Sequence, residues 1–266
     1  MAARLLESSK AKIARRVIEV FEYFSAANER ATVMDIARCY HWPQSSTSEL
    51  LSSLAELGLL YKDPVSRSFT PTPRLAAMGM AAQPEIIRNG LLFNFMDRLV
   101  QTTRMRVALF GMVGLHVQAF RWLNPPSSVA EDVGCGASEL LSHSAAGLLL
   151  LSTLSSDQAQ GALWRLYAEA SPKEKFDRQV LAEQVMALRQ HGHATGTAGF
   201  VAGMQMTAML LPREIGERPL ALGVLYAPEE ACEPSALVET LRRGISRARS
   251  DEPREAPMTA QLIHAM

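Results

Sequence analysis

The side chains best equipped for chemistry stand between Thr32 and Gly58, in the run TVMDIARCYHWPQSSTSELLSSLAELG. Gln44, Ser45, Ser46, Ser48 and Glu49 follow Pro43, with Ser52 and Ser53 further on. A helix initiated by the proline would present these short polar groups along one face. Amides and hydroxyls both donate and accept, and a carboxylate accepts from the cytosine amine, so the face is suited to reading base edges or phosphate oxygens. It carries no Lys or Arg. Attraction to a polyanion must come from Lys10, Lys12, Arg15, Arg16 and Arg38 before it or beside it and from Lys62 and Arg67 after it.

Other reactive residue types make weaker patterns. His191 and His193 form an HxH that could hold a metal from a strand, but no acidic or Cys partner is near in sequence, and a polar helix end is the plainer reading. Cys135 sits between two glycines in a loop without basic neighbours, so no residue nearby activates it as a redox sensor, and Cys39 and Cys232 are remote from it. No nucleophile, base and orienting acid fall in a recognisable frame and no phosphate loop is present, so neither catalysis nor a cofactor is expected. Lys plus Arg equals Asp plus Glu across 266 residues, so any basic footprint must be local. The start of the chain lacks a signal-peptide core and no long uncharged apolar run occurs, which gives the expectation of a soluble cytoplasmic protein with no membrane partner.

The elements that position the polar face can be read from periodicity. Val33, Ile36, Ala37 and Tyr40 form one apolar stripe behind Thr32 and Asp35, which are spaced as a capping box. Thr47, Leu50, Leu51, Leu54 and Leu57 form the inner stripe of the second helix, with Gly58 as its C-terminal cap. A helix over Lys10 to Ser25 points Ile13, Val17, Val20, Phe21 and Phe24 inward. After Gly58, LLYKDPVSRSFTPT alternates around Asp63-Pro64 as a hairpin with Lys62 and Arg67 beside its tip. A helix, a helix-turn-helix and a basic-tipped hairpin in succession describe a winged helix-turn-helix.

The order VIEVFEYFS, then TVMDIARCYHWPQSSTSELLSSLAELGLLYKD, then FTPTPRLAAMG resembles the N-terminal domain of IclR-type transcriptional regulators across residues 10–80. The resemblance implies a DNA-binding domain there and double-stranded operator DNA as partner. It also implies a homodimer or tetramer whose paired recognition helices reach successive major-groove turns. MarR-type regulators share the winged helix but normally end as one small domain, and this chain continues. The family commonly places a basic residue after the proline and an Arg before the paired leucines, where this chain has Gln44 and Glu49.

Beyond residue 80, apolar spacing from Pro84 through Ile87, Leu91, Leu92, Phe95, Leu99 and Val100 gives a linker helix over 84–104, which in the family adds dimer contacts. Two strands around Gly114, a loop from Asn124 to Ser138 and an apolar helix over ELLSHSAAGLLLLSTL follow. Helices are expected from about Asp157 to Ala168 and from about Pro172 to Gln190, then further strands, a helix from about Pro234 to Ser250, and a mobile tail at 251–266. Strands at both ends with helices between indicate a mixed α/β (α+β) domain over 105–250. Its Gly134 to Gly147 segment and its Arg189, Gly192 and Ala194 resemble the GAF-like effector domain of the same family. There the chain has Leu148 where the family carries Lys, and Thr195, Thr197, Met204, Met206, Thr207 and Met209 around a pocket that in the family takes small, usually anionic metabolites. Such a soft lining favours an aromatic or otherwise hydrophobic effector, with His116 or Arg121 as a polar anchor. The reading is a transcriptional regulator controlled by that effector and acting on a catabolic operon. The alternative is an oligomeric sensing or interaction module that keeps the fold without sequence-specific DNA binding.

Overall fold

The computed structural model describes residues 9–24, 28–81, 83–126, 133–213, 217–229 and 233–250. The chain divides into two compact units, Met1–Gln83 and Pro84–Met266. The expected tail at 251–266, part of the loop at 127–132 and Cys232 lie outside the described residues.

In the first unit, helices α1 (Ser9–Tyr23), α2 (Val33–Tyr40) and α3 (Gln44–Glu56) are followed by the hairpin β1 (Leu60–Lys62) and β2 (Phe69–Pro71) and by α4 (Arg74–Ala81). Val20, Ile36, Leu51, Leu54, Leu60 and Phe69 form the core between them. Local signals explain the boundaries. The Thr32 hydroxyl accepts from the Asp35 amide at 3.3 Å and the Asp35 carboxylate accepts from the Thr32 amide at 2.8 Å, closing the capping box of α2. Pro43 stands one place earlier than expected, as the cap of α3 and not its first helical residue. At the other end, Gly58 at φ +70° lets its own amide reach the Ala55 carbonyl and that of Leu59 reach Leu54, both at 2.9 Å, a Schellman closure.

Two residues expected inward are exposed. Ile13 is 58% accessible because only the second half of α1 meets this core, and Leu57, also 58%, lies past the last turn of α3.

The second unit opens with α5 (Glu85–Arg88) and α6 (Leu91–Thr103), so the segment expected as one helix over 84–104 is two. Gly90, at φ +73°, makes the break, and the Asn89 side chain accepts from the Leu91 amide at 3.0 Å to start α6. Strands β3 (Arg106–Val113) and β4 (His116–Leu123) turn at Gly114. The apolar stretch from Glu139 is not a helix throughout. The edge strand β5 (Ser138–Leu140) takes its start, a 3-10 turn spans Leu141–His143, and α7 (Ala145–Leu151) begins only after Ser144, whose hydroxyl accepts from the Gly147 amide. Helices α8 (Ser156–Glu169) and α9 (Arg178–His191) follow. The second starts later than its sequence pattern indicates because Asp177 accepts from the Gln179 and Val180 amides and fixes the cap there. Strands β6 (His193–Thr197), β7 (Gln205–Leu210) and β8 (Leu220–Tyr226) precede α10 (Pro234–Ser250).

These strands form one six-stranded antiparallel sheet in the order β5-β4-β3-β8-β7-β6. Alternation divides its side chains between two cores. Ala108, Phe110, Ala119, Met206, Ala208 and Leu225 pack with α7, α8 and α9 on one face. Val107, Leu109, Met209, Leu222 and Val224 pack with α5, α6 and α10 on the other.

Candidate nucleic-acid interface and ligand face

The polar face of α3 is presented to solvent as the sequence indicates. Gln44, Ser45, Ser48 and Glu49 are exposed, while Thr47 opposite them is fully buried and donates its hydroxyl to the Pro43 carbonyl at 2.9 Å. Ser46 is half-buried and its hydroxyl donates to the same carbonyl at 3.1 Å. The turn into α3 is shaped by His41 at φ 54°, a left-handed conformation uncommon for a residue with a side chain.

The hairpin beyond α3 has a built tip. The Asp63 carboxylate accepts from the Val65 and Ser66 amides, each at 2.8 Å, and these bonds, that of Ser66 foremost, hold its pKa below the usual carboxylate value. Arg67 adopts φ 55° and its amide reaches the Asp63 carbonyl at 2.9 Å. Lys62 lies over the Phe69 ring, 5.6 Å from its centroid. Arg38 is exposed at the end of α2.

The cations of α1 are not equivalent. Arg15 pairs with Glu19 at 2.7 Å. Arg16 reaches across to α3, donating to the Ser46 hydroxyl at 3.3 Å, and its guanidinium lies 4.5 Å from the centre of the Trp42 ring. Lys12, Ile13, Arg15, Arg16, Glu19, Tyr40 and Trp42 line an open groove of about 590 Å³. Lys10 belongs to α1, but its side chain lies outside the described residues. Tyr40 stacks on Trp42 with ring centres 4.9 Å apart and donates to the Glu19 carbonyl at 2.7 Å. Burial, and after it the charges of Cys39, Glu22 and Glu19, pushes the Tyr40 hydroxyl up to about 12. Sequence reasoning missed Trp42, although its place beside Pro43, between the two helices, was the available signal.

In the second unit the eight expected lining residues do not gather on one face of the sheet. Met206 is buried against α7, while Thr207 and Met209 face the opposite side of the sheet, because residues an odd number apart on a strand point oppositely. Thr207 instead joins a hydroxyl chain, 3.2 Å from Thr195 and 3.2 Å from Tyr226. Thr197 is exposed at the end of β6. Arg121 is turned away by an extra residue in β4: Leu109 pairs with Arg121 and Phe110 with Ala119, leaving Phe120 as a bulge. It bonds Asp97 of α6 at 3.3 Å and lies over Phe93 at 4.4 Å, a fixed partner of that helix. His116, at the start of β4, is half-buried and pairs with Val113 and Leu140.

What does converge lies on the α7 face. Phe110, Trp122 and Phe200 form an aromatic group with ring centres 5.1 to 6.4 Å apart, beside Met206. Met204 accepts from Arg106 at 2.7 Å. The same core contains Leu141, and the two residues after it carry unmatched polar atoms: Ser142 Oγ and His143 Nε2 are buried with no partner among the described residues. His143 Nδ1 lies 3.5 Å from the Glu139 carboxylate. Of these, Met204 and Met206 were among the expected lining residues and His143 was signalled by its place in the Gly134 to Gly147 segment, whereas Phe110, Trp122 and Phe200 were not singled out.

His191 and His193 turn inward on their own backbone, with Nδ1 atoms 2.8 Å from the Ala187 carbonyl and 3.0 Å from the His191 carbonyl. Cys39 and Cys135 are exposed and unpaired as thiols. Among the described residues no group of three or more His, Cys, Asp or Glu is gathered as for a metal ion, and no helix is long and apolar enough to cross a membrane.

The sequence profile of the IclR helix-turn-helix domain matches residues 14–64. No curated protein sequence matches the chain. Solved structures are similar along most of it. An IclR homolog from Microbacterium hydrocarbonoxydans, complexed with 4-hydroxybenzoate, superposes with a TM-score of 0.59 at 19% identity, covering 89% of this chain and 97% of that one. An IclR transcriptional regulator from Alicyclobacillus acidocaldarius gives 0.60 at 18% identity over 91% and 98%. The IclR of Thermotoga maritima gives 0.60 at 14% identity over 89% and 97%.

Proposed function

We propose, from the premise that residues 14–64 are an IclR helix-turn-helix domain on a chain with the fold of IclR-type transcriptional regulators, that this protein binds operator DNA under the control of an aromatic effector. The observation that carries the DNA half is α3, whose small hydrogen-bonding face is open to solvent beside a shaped basic hairpin. Residues 10–80 serve as the DNA-binding domain, 84–104 join it to the effector domain at 105–250, and the protein acts in the cytoplasm as a homodimer or tetramer on a palindromic site. It governs genes for the breakdown of its effector.

The effector half rests on the α7 face. The aromatic group of Phe110, Trp122 and Phe200 with Met206 offers a ring its packing partners, and Ser142 and His143 offer a carboxylate or phenol its hydrogen bonds. The bound 4-hydroxybenzoate of the Microbacterium protein has that chemistry. Retardation of the DNA upstream of the protein's own gene, with and without 4-hydroxybenzoate, tests both halves. Salt-sensitive retardation that the ligand changes is expected. In a thermal-shift series, stabilisation by short dicarboxylates and not by aromatic acids would overturn the effector assignment.

One observation favours a second reading: the exposed face of α3 has no Lys or Arg. Under that reading the fold serves as a sensing or interaction module, and no duplex is retarded specifically even at low salt.

A further inference from the structure

We propose that Arg16 supplies the cation that the recognition helix lacks, gripping a backbone phosphate beside the first turn of α3, and that Trp42 is the positioning residue that holds it there. This deepens the DNA-binding reading above and rests on it.

Helix α3 brings an anion, Glu49, and no cation to its outer face. Arg16 lies 30 residues earlier in the chain, yet its Nη1 is bonded to Ser46 in the first turn of α3. Its planar group rests on the Trp42 ring, which is stacked on Tyr40, and the Tyr40 hydroxyl is tied to the α1 backbone at Glu19. The guanidinium is therefore held from below by a two-ring shelf and from one side by a serine. Ser46 engages one of its five N–H donors, and the shelf occupies a face and not an edge.

A stacked guanidinium loses little freedom on meeting a phosphate, and its fork fits two phosphate oxygens. Its neighbour Arg15 is already engaged with Glu19, and Lys12 lines the same groove, so the groove concentrates positive charge around Arg16. Since Arg16 belongs to α1 and only touches the side of α3, its contact sets the register of that helix on the duplex and leaves base choice to Gln44 and its neighbours.

The test is the salt dependence of binding of the full-length protein to the operator duplex and to an unrelated duplex. Arg16→Ala should weaken both by about ten-fold and reduce the log-log salt slope by about 0.9, the loss of one phosphate contact. Arg16→Lys should keep the slope and lose about three-fold, because an ammonium does not stack in the same way. Trp42→Leu should lose about three-fold in the wild-type background and nothing further in the Arg16→Ala background. Equal loss from Trp42→Leu in both backgrounds would reduce Trp42 to packing and overturn its role. A change in preference between the duplexes from Arg16→Ala would make it a base reader and overturn the phosphate assignment. Wild-type binding that Arg16→Ala leaves untouched overturns this inference alone. A wild-type protein that retards no duplex in a salt-sensitive way overturns the DNA-binding reading and this inference with it.

Discussion

Tyr40 shows how one side chain in the helix-turn-helix unit links chemistry to stability. Its hydroxyl donates to the Glu19 carbonyl and its ring supports Trp42, and burial holds its pKa at about 12 against an ordinary value of 10.0. A raised folded-state pKa means that the folded chain keeps the proton longer than the unfolded chain does. The contribution is complete below pH 10 and is lost as pH rises through about 12. Denaturation followed through Trp42 should show the first unit weakening across that window, and Tyr40→Phe should be weaker at neutral pH but flatter across it. A wild-type profile no steeper than that of Tyr40→Phe would separate the hydroxyl from stability. At the same scale, Gly147 explains why the Gly134 to Gly147 pattern needs its last glycine: a Cβ there would stand 2.2 Å from the Leu141 carbonyl oxygen. That requirement is tertiary. Spacing marks the position, and only the packing of α7 on the turn before it gives the reason.

Among the elements, α3 and the hairpin divide the work of binding under the proposed function. Gln44 is the first residue of α3 and is exposed, with short neighbours that do not shield it, so it can reach a base edge. Arg67 sits at the hairpin tip at φ 55°, where a glycine is better accommodated than any residue with a Cβ. Arg67→Ala and Arg67→Gly should therefore weaken binding to all duplexes alike and lower the salt slope, while Arg67→Gly should match or exceed wild type in thermal stability. Gln44→Ala should mainly redistribute affinity among operator variants, read out by competition with single-base changes. Equal loss on every variant would remove its reading role. These elements were legible in the sequence because caps and turns are local: Thr32 with Asp35, Pro43, Gly58 and Asp63 each mark a boundary that the backbone hydrogen bonds respect. The proposed ligand face was not. Met206 and Met209 are close in sequence but face different cores, and the bulge at Phe120 reverses the parity of β4 and sends Arg121 to α6. Neither fact has a local signal, since a bulge and a sheet face are defined by the partner strand.

At the scale of the whole molecule, each unit has its own core. Val20, Ile36, Leu51, Leu54, Leu60 and Phe69 close the first, and the two layers on either side of the six-stranded sheet close the second. Separate cores of unequal size should melt separately, the smaller one first, because a smaller unit buries a lower fraction of its surface. Calorimetry of the full chain should then resolve two transitions. Operator DNA should raise the lower one and an aromatic acid the upper one, each by the free energy of its own site, about 2.7 kcal/mol at a hundred-fold excess over the dissociation constant. If the effector changes DNA affinity, linkage requires that adding both ligands move at least one transition by other than the sum of the separate shifts. A single transition raised by either ligand would mean that the two cores unfold as one cooperative block. Two transitions with strictly additive shifts would mean that effector and operator are bound by one chain without communicating, and regulation by the aromatic ligand would then have to be given up.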